Sequence, residues 1–400
     1  MTALLSGAVQ RGFDTAEFAR RCAAAQAVMA RQNLGAVLLA SEAEIRYFTG
    51  FMTQFWQSPT RPWFVVLPAT GAPVAVIPTI GVPLMRACYV SDVRSWASPA
   101  ASDDGTSLLL DTLRAYLGHK GRLGVLMGRE TALRMPLGDI FALTAALSDV
   151  EMIDVTEDVQ QIRMIKSSAE IDKLRHICTV VSDVFDTVPD WVAAEMPLSE
   201  VFRQFKIKAL HTGVDDVSYL VGSAGQGGYR DIIAPPTDRP LRHCDIFMLD
   251  TGCVWDGYFS DFDRNFAVSS ASDAAQGAHH RLYDATEAAL SITRPGIKAK
   301  DLYAAMDAVL RPGAAGPGGG GDVGGDDVGR YGHGLGMQLT EPPSHTHWDE
   351  TVIQAGMALT LEPSIIYGDG YLMVAEENIL VTDTGVELLS RRCGRDLQII

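Results

Sequence analysis

The chain is 400 residues long, 47% hydrophobic and 20% charged, with a formal net charge of −16. That length exceeds what one ordinary hydrophobic core organises, so two domains are expected, and the composition is that of a soluble, globular protein. The negative balance argues against nucleic acid and anionic membrane surfaces as partners.

The opening stretch, MTALLSGAVQRGF, has neither the basic start nor the apolar run of a secretion signal. No segment approaches the about 20 apolar residues that cross a bilayer. Six cysteines are scattered without a CxxC pair, the usage of a reducing compartment. The expectation is a cytoplasmic protein with no membrane partner.

In chain order, TAEFARRCAAAQAVMARQN has helical spacing and GAVLLA reads as a buried strand. SEAEIRYF opens with Ser41 and Glu44 at the spacing of a capping box. PWFVVLPA and APVAVIP flank Thr70 and Gly71 and read as a hairpin. RLGVLMG and VEMIDVT are further strands, so residues 1–160 are expected to form an α/β domain with a mixed sheet. The loop YFTGFMTQFWQSPTRPWF offers Phe55, Trp56 and Trp63 to a cationic or zwitterionic ligand, and Arg61 to a carboxylate. Packing of the domain or of a dimer interface accounts for these aromatics equally well.

From Lys166 a long amphipathic helix begins, and PLSEVFRQFKIKALHTG forms a second that Gly213 closes. After Asp215 the pattern turns to strands and hairpins, with one more helical pair around 272–311. Residues 161–400 are therefore expected to be an α+β domain, with the boundary between 155 and 166. The glycine-rich stretch 311–329 cannot be a packed element. It is either a lid near His333 or a solvent loop that tolerates insertion.

Asp256-Gly257, between two strand-like runs in LDTGCVWDGYFSDFDRNF, is a strong hairpin signal. With those two as the turn, position 250 faces 263, and alternation puts Asp250, Asp261 and Asp263 on one face. Three acids on one face, set among apolar residues, repel unless a cation lies between them. In LTLEPSIIYGDGYLMVAEENILVT a loop centred on Asp369 sets Glu362 opposite Glu376, while Glu377 points the other way. His333, between Gly332 and Gly334, supplies a nitrogen where backbones approach closely. Oxygen-rich ligation with one imidazole suits manganese, cobalt, iron or zinc, with manganese favoured by hardness. Asp250, Asp261, Glu362 and Glu376 exceed what one ion needs, so two divalent ions are implied.

These residues, in this order, resemble the family that includes methionine aminopeptidase, aminopeptidase P, prolidase and creatinase, with its pita-bread fold. That family's ligands run Asp, Asp eleven residues later, His, Glu, Glu, and Asp250, Asp261, His333, Glu362 and Glu376 match that order. GMALTLEPSIIY, AEENILVTDTGVELLS and IRMIKSSAEIDKLR are similar to further family segments, so the resemblance covers about residues 160–396. The first 160 residues match the creatinase-type N-terminal domain in length and pattern. The resemblance implies a pita-bread catalytic domain over 161–400, a homodimer, and a metal-dependent hydrolase of amide or peptide C–N bonds of the Xaa-Pro type. In it a metal-bridging hydroxide would attack the carbonyl, with Glu362 taking the proton.

This chain departs from the family where peptide handling is concerned. The histidine of the family's HExP motif is Thr340 here, and no histidine occurs between His211 and His243, where the other is usual. A threonine hydroxyl cannot act as an acid near neutral pH. Either His345 or His347 takes over, or the substrate is not an ordinary peptide. Asp263 stands where threonine is common and, with Thr340, Trp56 and Arg61, is a candidate for substrate contact. The alternative is a creatinase-like or ectoine-hydrolase-like enzyme, or a lyase, on a small compatible-solute or amino-acid derivative, working with or without metal. A non-enzymatic binding module is least in keeping with five retained ligands.

Overall fold

The structure, a computed structural model, describes residues 9–58, 61–312 and 329–400. Most of the glycine-rich stretch discussed above, residues 313–328, lies outside the described residues. The chain divides into two compact units, one of Gln10–Arg163 and the other built on Met164–Ile400.

The first unit is a six-stranded sheet in the order β4-β3-β2-β1-β5-β6. Its strands are β1 (Ala36–Leu39), β2 (Phe64–Pro68), β3 (Val74–Pro78), β4 (Asp92–Trp96), β5 (Arg122–Val125) and β6 (Glu151–Asp154). The expected hairpin is β2–β3, antiparallel with Val66 opposite Val74, and Gly71 takes φ 89° in its turn. Strands β3–β4, β1–β5 and β5–β6 run parallel, so the sheet is mixed, as the alternation of patterns indicates. Every residue of β1, β2 and β3 is buried, which explains their unbroken apolar runs. Leu109 and Leu113 of the helix Thr106–Leu117 and Leu143 of the helix Leu137–Ala146 close the core over Leu38, Val66 and Leu123. Each such buried side chain contributes about 1.5–3 kcal/mol over leaving it in water.

The capping box expected at Ser41 and Glu44 does not form. Ser41 holds the N-cap position without a side-chain cap bond, and buried Glu44 instead accepts from Arg163 Nη1 at 2.7 Å. An ion pair between two buried side chains outcompetes a backbone N–H for the carboxylate. The capping box is realised at Ser167 and Glu170, starting the helix Ser168–Asp186. The helix Leu198–Thr212 ends at Gly213 with φ 119°, as the sequence indicates.

Among the described residues the second unit carries three sheets. The largest joins β7 (Asp216–Val221), β8 (Ala224–Gln226), β9 (Asp245–Trp255), β10 (Tyr258–Phe259), β11 (Phe262–Ala267) and, at its edge, β19 (Gln398–Ile399). A second has the order β13-β12-β14-β17-β18, from β12 (His333–Gly334), β13 (Glu341–Ser344), β14 (Ala358–Leu361), β17 (Glu377–Val381) and β18 (Val386–Leu388). The third is the hairpin of β15 (Ser364–Tyr367) and β16 (Tyr371–Val374). Helices Asp273–Ile292 and Ala299–Leu310 pack Leu282, Ala285 and Met306 into one core with Met248, Leu359 and Ile379. Among the described residues no helix is long and apolar enough to cross a membrane.

Candidate metal centre

Two turns decide where the acids stand. Asp256 and Gly257 have φ 48° and 82°, the left-handed values a two-residue hairpin turn requires, and they set Asp250 opposite Asp263. In the other hairpin Ser364 faces Val374 and Tyr367 faces Tyr371. Further back, Leu361 of β14 faces Glu377 of β17 in the same register. Glu362 and Glu376 therefore sit opposite each other at the junction of two sheets.

Cross-braces lock the hairpins together. Asp261 leaves the ladder, and its amide donates to Asn378 Oδ1 at 2.9 Å, while Asn378 Nδ2 donates to the Asp261 carbonyl. The Asp263 carboxylate accepts from the Glu376 amide, and from Asn265 Nδ2 at 3.0 Å. Arg264 Nη1 donates to the Glu376 carbonyl at 3.1 Å and Nη2 to Glu377 Oε2 at 3.0 Å. Glu377 is thus structural, and buried rather than exposed. Asp263 braces the link between β16 and β17 that carries Glu376. Since the Arg264 and Glu377 side chains are only 9% and 3% exposed, Arg264→Met should cost about 3–5 kcal/mol, because it removes one partner of a buried ion pair. Denaturant unfolding measures this. A loss below about 1 kcal/mol would mean that the Ser390 hydroxyl and Cys393 amide, which also donate to Glu377, suffice.

His333 enters from β12. A Cβ on Gly332 would lie 2.3 Å from the Thr360 carbonyl oxygen, and one on Gly334 2.1 Å from that of Pro342, so only glycine admits these backbones. The His333 amide donates to Thr360 Oγ1 at 3.1 Å, and Nδ1 lies 2.9 Å from the Gly334 carbonyl oxygen. That contact makes Nδ1 the protonated nitrogen and leaves the Nε2 lone pair facing Asp261 Oδ2 at 3.5 Å. One ligand atom from each of Asp261, His333 and Glu376 lies within 4.8 Å of the others, and all three residues are buried.

The electrostatics are those of crowded anions. Burial, with Glu362 nearby, pushes Asp250 up to about 8, and burial pushes Glu362 up to about 7. Asp261, Asp263 and Glu376 are driven well above the carboxylate range, first by burial and then by neighbouring carboxylates, Asp250 and Glu362 acting on all three. His333 moves the other way, down to about 3, through burial and the charge of Arg330, and so stays neutral with its lone pair available. Asp250 Oδ1 and Glu376 Oε1 are buried without a hydrogen-bond partner among the described residues. Orphaned carboxylate oxygens, crowded acids and a neutral imidazole make a donor set that fits divalent cations.

The other candidates lie as follows. His345 is fully buried and held down to about 4, chiefly by burial, against the opposing pull of Asp349 and the Thr360 backbone. His347 is exposed, its ring 6.1 Å from that of Tyr303. Thr340 is half-buried and accepts from Arg330 Nη2 at 3.3 Å. In the first unit, Trp56 is buried against Phe51 and Trp63, with ring centroids 6.4 and 6.0 Å away. Arg61 stacks 5.2 Å from the centre of the Phe55 ring, and Arg134 lies 5.3 Å from that of Trp56. These contacts are what packing of that unit requires.

Sequence reasoning passed over Arg330 and Asn378. Arg330 had a signal, as the one lysine or arginine between Arg311 and Arg391. Asn378 had none, because its partner lies 117 residues away.

Residues 172–383 match the model for metallopeptidase family M24, and residues 21–165 match that for the creatinase/prolidase N-terminal domain. The chain is 27% identical over 397 residues to the probable dipeptidase PepE of Mycobacterium tuberculosis, covering 98% of each chain. It superposes on the crystal structure of dipeptidase PepE from Mycobacterium ulcerans with TM-score 0.80 and 26% identity, covering 97% of this chain and 99% of that one. A recombinant prolidase from Thermococcus sibiricus shares the fold at TM-score 0.81 and 20% identity, over 97% of this chain and 100% of that one.

Proposed function

The chain belongs to metallopeptidase family M24, with its pita-bread fold and creatinase/prolidase N-terminal domain, and we propose that it hydrolyses the amide bond of dipeptides, Xaa-Pro dipeptides among them. It is a hydrolase of the M24 type, in a family whose enzymes use divalent metals. The single observation that carries the finer reading is the buried cluster of Asp261, His333 and Glu376, with Asp250 and Glu362 beside it.

Those five residues would hold two divalent ions, manganese favoured by the hardness of the oxygen donors. When bound, such ions supply Lewis acidity and bring the pKa of a water toward neutrality. The chain's own residues do the rest. His333, neutral and fixed by the Gly334 carbonyl, offers Nε2. Asp263, Arg264 and Asn378 fix the backbone that carries Asp261 and Glu376. Glu362, half-buried at the junction of two sheets, is placed to take a proton from water and return it to the leaving nitrogen. Water adds across the C–N bond, leaving one carboxylate and one amine. The name of a relative supports the substrate class: PepE of Mycobacterium tuberculosis is a probable dipeptidase.

Thr340, and the absence of a histidine between His211 and His243, keep a second reading open. This is a creatinase-like enzyme acting on a small amino-acid derivative. Six unpaired cysteines support a reducing, cytoplasmic setting, and the homodimer implied by the resemblance belongs to the same proposal.

Metal content by mass spectrometry, on protein purified without chelator, is the test, followed by a dipeptide screen with added manganese. The expected result is close to two transition-metal ions per chain and turnover that chelation abolishes. No metal even after soaking would overturn the metallohydrolase reading. Full metal loading without dipeptide turnover would move the assignment to small cyclic amides and compatible solutes.

A further inference from the structure

The sheet of the first unit has a cavity of about 360 Å³ on one face. Strand register builds its floor. Leu38 of β1 pairs with Val125 of β5, and Leu123 of β5 pairs with Met152 of β6, so these four side chains stand together. Ile140, Leu143 and Thr144, at helical spacing on the helix Leu137–Ala146, form the roof. The irregular segment between β5 and that helix forms the rim, and its Met127, 53% exposed, marks the mouth.

A packing fault is the plain explanation, and size and construction both count against it. Voids in protein interiors seldom exceed a water molecule, whereas ligand pockets run to roughly 300–1,000 Å³. The roof is also held off the floor. Of the helix Leu137–Ala146 only Leu143 is buried, while Leu137 and Phe141 are 63% and 65% exposed. Settling onto the sheet would bury more apolar surface and close the space. A pin opposes it: Arg114 Nη2 donates to the Ala146 carbonyl at 2.7 Å, and Nη1 to Asp149 at 3.1 Å, just past the helix end.

The walls decide what fits. Among the described residues that line the cavity none is ionisable. Both lining hydroxyls commit their hydrogens to backbone, Thr131 to the Gly128 carbonyl at 2.9 Å and Thr144 to the Ile140 carbonyl at 2.7 Å. The Met127 and Gly128 amides donate to Thr156 Oγ1 at 3.0 and 2.8 Å. An ion here would lose its hydration with no opposite charge to replace it, and water finds few partners. The two hydroxyl oxygens can still accept, so the walls accommodate one donor on an otherwise apolar molecule. Met127, Met135 and Met152 are flexible enough to close around a ring or a short chain. We propose that this cavity binds a small, uncharged aromatic or aliphatic molecule carrying at most one hydroxyl, at a site that shares no residue with the metal centre.

The test is calorimetric titration of the full-length protein with 1-naphthol, and with 1-naphthoate as a charged analogue of similar shape. Wild type should bind one 1-naphthol per chain with a dissociation constant of about 100 µM or tighter. It should bind 1-naphthoate at least about tenfold more weakly. Leu133→Trp fills the space from the rim and should weaken 1-naphthol binding by at least about tenfold, with a Tm equal to or above that of wild type. Thr144 lies on the exposed side of its helix, so Thr144→Glu keeps the fold and sets a charge in the mouth. It should weaken binding as much, which covers a folding failure of Leu133→Trp. Absence of saturable binding in wild type overturns the site, as does binding that both variants retain. Equal affinity for 1-naphthoate, lost in the same variants, overturns the uncharged class. No binding, with Leu133→Trp shifting the oligomeric state seen by light scattering, gives the cavity to a second copy of the chain and overturns the small-molecule site.

Discussion

Asp261→Asn should lower hydrolysis by about three orders of magnitude, because it removes one carboxylate from the cluster without changing its shape. Asp261 Oδ2 faces His333 Nε2 at 3.5 Å, within the group that also includes Glu376. An amide oxygen there still accepts a hydrogen bond but no longer brings the charge that a divalent ion needs. The same change acts oppositely on the fold. Burial, Asp250 and Glu362 all push Asp261 up, so the neutral side chain relieves repulsion, and the metal-free variant should unfold at a higher temperature than metal-free wild type. The braces through Asn378 bind the backbone of residue 261, which the substitution leaves intact. Activity falling while metal-free stability rises is a signature that a merely structural aspartate does not give. A drop of less than about tenfold with both metals retained would take Asp261 out of the reaction.

Removing the metals should destabilise the protein more as the pH rises. The sign follows from where protons sit. An unfolded carboxyl titrates near 4, whereas in the folded metal-free chain Asp250 is pushed up to about 8 and Glu362 to about 7, with Glu376 well above its ordinary range. Between those limits the folded chain holds protons that the unfolded chain has lost. Stability from these groups is therefore greatest at the acidic end and declines as pH rises from about 4 through about 8. Divalent ions displace those protons, and their affinity grows in the same direction. At a hundredfold excess over the dissociation constant they add about 2.7 kcal/mol, which for a unit of this size is about 5–10 °C in Tm. Thermal scans of loaded and chelated protein at pH 5, 6.5 and 8 test this. A gap between the two forms that stays constant or narrows toward pH 8 would show that the acids are not the groups relieved by metal.

Much of the catalytic unit was legible because tight turns fix registers. Asp256-Gly257 determines that residue 250 meets 263, and the loop centred on Asp369 that 362 meets 376, before anything is known of the rest of the chain. The glycines around His333 were legible for the same local reason. What escaped was set by distance. Glu44 looked like half of a capping box until Arg163, 119 residues on, entered its surroundings. Asn378 reads as one more polar residue in a strand, and its bonds to Asp261 arise only when two sheets meet. Thr340 was marked by what it lacks. Its actual partner, Arg330, was hidden because the strand pairing between them is irregular.

That irregularity has a wider consequence. His333 pairs with Ser344 but Gly334 pairs with Glu341, so the ladder skips between adjacent residues, and Thr340 lies beyond the break. The ligand is therefore held by β12 and β14, while the residue that grips Arg330 belongs to a corner outside the regular ladder. Substitutions at that corner can accumulate without shifting the imidazole. An exchange at Thr340 therefore changes what Arg330 donates to while leaving in place the ladder that carries the imidazole.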